Sequence, residues 1–262
     1  MIPAIASENR KFFSTRIWWI LLLCMVAYVA FVVALIAVVI HFAEGVGAPQ
    51  GTIGTPYSLP ASMAYVFPAT IGALAITSEY RHQTLTPTFL ATPRRGIVLG
   101  AKLIGAVPIG LVLGVMASLT ALAVGGGTLG LLGDDTSLGL ASSWRDLVLG
   151  ALAMAMWTLI GLSFGALVRS QVAAIVILLV FSQVVEPILR MVPMGVPAMS
   201  HVVKFLPGAA GEALAGGGQV YGVGSVEGVV GLPAWGGALT MAAYVAVFAV
   251  VGYVVSMRRD VT

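Results

Sequence analysis

The chain has 262 residues, 59% of them hydrophobic and only 9% charged, with a mean hydropathy of +1.03. Soluble domains carry about 25% charged residues, so an ordinary water-soluble fold is excluded. The formal charge of +3 is too small and too scattered for nucleic-acid binding, and a lone cysteine, Cys24, excludes an internal disulfide.

Residues 1–16 mix apolar Ile2, Ile5, Phe12 and Phe13 with charged Glu8, Arg10, Lys11 and Arg16, the pattern of an amphipathic helix lying in a membrane interface. Residues 17–40 follow without a charge and are long enough to span. Their apolar core exceeds the roughly 7–15 residues of a secretory signal and no small-residue cleavage site follows, so a retained helix is expected. Trp18 and Trp19 mark one interface and His41 the other. Residues 42–56, rich in Gly and Pro, read as a loop. The second span is placed at 57–78, with Pro68 expected to kink it. The third is placed at 96–124, holding Lys102, Pro108 and the glycines 96, 100, 105, 110 and 114, which allow close helix approach.

A glycine-rich loop with Asp134 and Asp135 covers 125–146, and spans four and five are expected at 147–168 and 172–192. Residues 193–234 are too broken to cross alone and too apolar for a free loop, which fits short re-entrant or external helices. Span six is placed at 235–257, closed by Arg258 and Arg259. With both termini inside, ten of the thirteen Lys and Arg residues face the cytoplasm and only Arg145, Arg190 and Lys204 face out, which sets the orientation. The expected fold is an all-α membrane protein of six spans, formed by residues 17–262 after the interfacial helix 1–16.

The polar, basic segment 79–95 between spans two and three carries Glu79, Arg81, Thr84, Phe89, Leu90, Pro93, Arg94 and Arg95. Thr86 and Pro87 can start a short helix that ends before Pro93. A solvated loop that only fixes topology is the plain reading. The order Glu79, Arg81, Thr84, Leu90, Pro93, Arg95, Lys102 resembles the first cytoplasmic loop of ABC-2 type transporter permeases, especially the small bacterial six-span ones. Gln83 stands where that family usually has Gly, and Thr86 where a basic residue is common. Gln resists the left-handed backbone that Gly accepts, which leaves the turn open. The run Glu8, Lys11, Ser14, Thr15, Arg16, Trp18, Trp19 resembles the N-terminal segment of the same permeases. The run 204–210 with Ala213 and Leu214 is similar to their external half-helices.

The resemblance implies the membrane subunit of an ATP-driven exporter in the bacterial cell membrane. In it, 79–95 would be the coupling loop, docking on a separate ABC ATPase. Two permease subunits, identical or different, would pair with two ATPase chains that bind ATP and Mg. No G-x-x-x-x-G-K-[ST] phosphate loop occurs in the chain, so no cofactor and no enzymatic activity are expected of it. A non-transporting six-span scaffold or immunity protein is the alternative.

Gly161-Leu162-Ser163-Phe164-Gly165 matches a G-x-S-x-G elbow, but the elbow needs a strand-to-helix turn and this stretch lies inside a span, where small residues serve packing. No metal-ligand spacing occurs. Glu186 and Arg190, at i and i+4 in the outer part of span five, suit an ion pair. Two readings stay open for them: an interfacial pair that snorkels, or a polar contact in the export path or outer gate. Met154, Met156 and Trp157 would either line a lipophilic path or pack between helices.

Overall fold

The computed structural model describes residues 10, 15–45, 57, 62–84, 95–136, 138–139, 141–168, 170–216 and 231–257, and every regular element among them is helical. Lipid offers no hydrogen-bond partners, so a long apolar segment must satisfy its backbone internally, as a helix does. In chain order the elements are α1 (Ile17–Gly45), α2 (Val66–Arg81), α3 (Arg95–Leu132), α4 (Ala141–Leu167) and α5 (Gln171–Val180). A π turn (Phe181–Val185) carries α5 into α6 (Glu186–Met191). Two 3-10 turns, Val192–Met194 and Pro197–Met199, lead to the short α7 (Ser200–Val203) and α8 (Pro207–Leu214). Last comes α9 (Ala234–Gly252), which runs on as a second π turn, Tyr253–Met257.

Five of these segments are long and apolar enough to cross a membrane: α1, α3, α4, the compound helix from Gln171 to Met191, and α9 with its extension. The chain is therefore a helical protein of membrane-spanning composition. Its outward faces are apolar too, with Ile20, Phe31, Val172 and Trp235 all exposed. Such faces suit a lipid solvent and no aqueous one.

Helix α4 is the centre. Two-thirds of its apolar window (67%) is buried, against 17–33% in the other four spanning candidates. It packs along α2, α3 and α9, and α8 rests on it as well. Small residues make this closeness possible. A Cβ on Gly161 would collide with the Ala69 backbone of α2, and one on Gly72 would collide with the Thr158 carbonyl of α4. Gly110 and Gly114 of α3 lie in the same way against Ala155 and Ala151. Ser163 is fully buried and donates its hydroxyl to the Leu159 carbonyl of its own helix at 2.7 Å, so the elbow-like sequence is a helix-packing segment. Met154 and Trp157 are core residues, and Tyr65 stacks on Trp157 at 4.2 Å between ring centroids.

Several boundaries differ from the sequence expectation. Helix α1 continues through 42–45, and α3 runs past 124 to Leu132: no proline falls in either extension, and each glycine weakens a helix by only about 1 kcal/mol without breaking it. Helix α2 begins at Val66, not near 57, which puts Pro68 in its first turn. There a missing N–H costs nothing and no mid-helix kink follows. Pro108, by contrast, does sit inside α3, which remains one element. The interfacial helix expected over 1–16 lies almost wholly outside the described residues, as do 85–94.

Candidate functional site

Two places gather the polar residues, at opposite ends of the bundle. At the first, α2 hands over to the polar loop. Its end is a Schellman turn: Gln83 N–H donates to Tyr80 O at 3.4 Å and Thr84 N–H to Glu79 O at 3.1 Å. This geometry requires a left-handed residue, and Gln83 takes it with φ of +54°. The turn typical of glycine is thus formed without one, at a cost of about 1 kcal/mol.

Glu79 lies in the last turn of α2 and is buried, not displayed on the loop. Its Oε1 is 2.9 Å from Nζ of Lys102, itself buried in the second turn of α3. The pair clamps the two helices on either side of the loop. Arg81, His82 and Thr84 are exposed just below it, and Arg95 opens α3. Phe89, Leu90, Pro93 and Arg94 lie outside the described residues.

The second place begins with the π turn. Glu186 N–H reaches back five residues to Phe181 O, so Ser182 O loses its usual i+4 donor. The next residue, Pro187, has no N–H to offer. Tyr65 fills the gap, donating its hydroxyl to Ser182 O at 3.0 Å. The break therefore has a local cause in Pro187 and a tertiary partner in the residue just before α2.

Just beyond the π turn, Glu186, Arg190 and Glu212 form a buried cluster, each less than a tenth exposed. Arg190 donates from Nε (3.1 Å) and Nη2 (2.7 Å) to Oε1 of Glu186, and from Nη1 (2.7 Å) to Oε1 of Glu212. Helix α8 explains the rest of the arrangement. Its N-cap residue, Leu206, has no side-chain acceptor, and Pro207 has no N–H. The next two N–H groups, of Gly208 and Ala209, both donate to the Glu186 carboxylate at 2.9 Å. Glu186 thus caps α8 from another helix, where the dipole favours negative charge. Gly208 suits this approach: a Cβ there would lie 2.6 Å from both Glu186 Oε1 and Arg190 Nη2, so those side-chain ends would have to give way.

The i, i+4 pair suggested by the sequence is therefore formed, but it does not snorkel. It is sealed by α8 and extended by Glu212, a third member that the sequence reading missed. Its one signal was a lone charge inside an otherwise apolar Pro-Gly-Ala-Ala-Gly-Glu run. The cluster holds two carboxylates for one guanidinium. Glu186 receives four hydrogen bonds, so Glu212 is the member suited to carry a proton. Burial pushes its carboxyl up to about 7, against the lowering effect of Arg190.

Further along this end, His41 Nδ1 and Asp134 Oδ2 meet at 2.9 Å, tying α1 to the segment after α3. Among the described residues no group of three or more His, Cys, Asp or Glu is placed to hold a metal ion. Comparison with protein-family models and with curated proteins finds no match to this chain.

Proposed function

We propose that the chain is the membrane subunit of an ATP-driven exporter of the ABC-2 type, coupled through residues 79–95 to a separate ATPase. The observation that carries this reading is the clamp between Glu79 and Lys102. A loop can transmit force from a partner only if both helices entering it are stiff and joined. Here the buried ion pair links α2 to α3 at the loop, and a hydrogen-bonded turn fixes the exit from α2. Both helices lie along α4, so a push on the loop reaches the central helix.

On this reading α2 is the sixth spanning helix, both termini face the cytoplasm of a bacterial cell, and two subunits form the pathway above two ATPase chains. ATP and Mg belong to those partners. Closure of the motor dimer shifts the population of helix arrangements through docking contacts that differ between the two states. The substrate is a lipophilic or amphipathic molecule.

Leu90→Asp tests the proposal. An apolar residue on a polar loop has its natural destination in a partner groove, and such anchors contribute about 2 kcal/mol or more. The variant should insert normally and lose ATPase capture and substrate-stimulated ATP turnover. Wild-type capture and turnover by this variant would remove the loop from the coupling path.

A further inference from the structure

The loop end also holds a cavity of about 460 Å³, within the roughly 300–1,000 Å³ range of small-molecule sites. It opens because α2 and α3 both pack on α4 but hardly on each other. Its inner wall is apolar: Trp18 and Leu21 of α1, Ile71 and Leu74 of α2, Ile109 of α3 and Leu162 of α4. Its polar residues gather toward the helix ends: Ser78 and Arg81 of α2, His82 and Thr84 just after it, Thr15 before α1 and Gln171 of α5, beside the Glu79–Lys102 pair. The distance along α3 from Lys102 to Ile109 is about 10 Å at 1.5 Å per residue. That is about a third of a bilayer's roughly 30 Å apolar core.

We propose that this cavity binds an amphiphile with a hydrocarbon tail and an anionic head, the tail along the inner wall and the head at Arg81 and His82. The sign of the head follows from the charges on the rim. Glu79 and Lys102 lie 2.9 Å apart and offset each other. Among the described residues of the rim, exposed Arg81 remains as net positive charge, with His82 beside it as a donor. A cationic head would meet Arg81, whereas an anionic one completes it. A lone apolar molecule would leave Ser78, His82 and Gln171 without use. The proposal rests on the transporter reading only in calling this amphiphile a substrate. The binding itself requires no ATPase.

The test uses the full chain in nanodiscs of zwitterionic lipid, without any partner, and an alkyl phosphate carrying a photoreactive group in its tail. Saturable labelling is expected on the residues that line the cavity: 17–21 of α1, 71–82 at the end of α2, 102–109 of α3 and Leu162 of α4. Unlabelled alkyl phosphate should compete for it, and the matching alkyl trimethylammonium should not. Competition should strengthen about fourfold per added methylene, from roughly 0.8 kcal/mol each, and stop once the tail outgrows the cavity. Ala75→Trp, which fills the cavity from α2, should abolish labelling. Arg81→Glu, on the exposed rim where folding is not at stake, should remove the preference for the anionic head.

Competition by anionic phospholipid in the disc would identify the ligand as a membrane lipid. Competition by single-chain amphiphiles alone would identify a free one. Either supports the site. Unsaturable labelling, labelling outside the cavity lining, or equal competition by the cationic amphiphile would overturn it. Failure here with normal ATPase capture would leave the transporter reading intact. Labelling as expected with no ATPase capture would leave the site and remove the transporter.

Discussion

Replacing Arg190 by methionine keeps most of the aliphatic bulk and removes the only guanidinium in the cluster at the end opposite the loop. The side chain makes three charged hydrogen bonds, two to Glu186 and one to Glu212. Its loss leaves two carboxylates in a site where Glu186 is 1% and Glu212 3% exposed. Breaking a buried pair by removing one partner costs about 3–5 kcal/mol. Proton uptake by Glu212 limits that figure, while the two amides of α8 still hold Glu186. A loss of about 3 kcal/mol is therefore expected for Arg190→Met, measured as a shift in the unfolding midpoint of detergent-solubilised protein followed by tryptophan fluorescence. Adding Glu212→Gln should recover at least about 1 kcal/mol by removing the buried carboxyl that must otherwise take up a proton, a coupling that only interacting residues show. A loss below about 0.5 kcal/mol for the single variant, or strict additivity in the double one, would refute the cluster as a stabilising unit.

Stability should also depend on pH through Glu212, whose carboxyl is raised to about 7 from 4.5, mainly by burial. A raised value stabilises the fold fully below 4.5 and the gain is lost as pH rises through 7, by up to roughly 3 kcal/mol. Thermal midpoints from pH 5 to 8 should therefore fall for the wild type and stay level for Glu212→Gln; equal slopes would contradict the assignment. Gln83→Gly should stabilise by about 0.5 kcal/mol, the relief of left-handed strain less the extra chain entropy of Gly. A destabilised Gln83→Gly in the same assay would contradict the Schellman turn. Tyr65→Phe removes the donor to Ser182 O and should cost about 1–2 kcal/mol, whereas an unchanged midpoint would mean that the carbonyl has another donor. A cysteine at Asp134 should react with an impermeant reagent applied to intact cells and one at Thr92 should not; the reverse pattern would invert the orientation.

The spanning helices were legible because lipid imposes one strong rule, about twenty apolar residues per crossing. Helix ends were less legible. Glycines after 124 read as a loop and Pro68 as a kink within a span from 57, yet α3 continues through the former and α2 starts late enough to place Pro68 in its first turn. The Glu186–Arg190 pair was readable from its i, i+4 spacing, since it is local. Glu212, 22 residues from Arg190 across three short elements, was not. Nor was the π turn, which needs the tertiary hydroxyl of Tyr65 to be tolerable. At the loop, composition suggested that Glu79 was exposed with its basic neighbours. One extra turn of α2 buries it against Lys102, and no local pattern signals that pairing over 23 residues.

The central claim is that this chain docks a separate ATPase through the segment 79–95. The most direct measurement places a photo-crosslinking residue at position 90, isolates the chain from its native membranes after irradiation, and identifies the attached protein by mass. The account predicts one dominant adduct, a chain carrying a G-x-x-x-x-G-K-[ST] phosphate loop, with the same adduct weakened when the crosslinker sits at Thr136 on the far side. Abundant complex formation with no nucleotide-binding chain at position 90, or crosslinks there only to lipid, would contradict it.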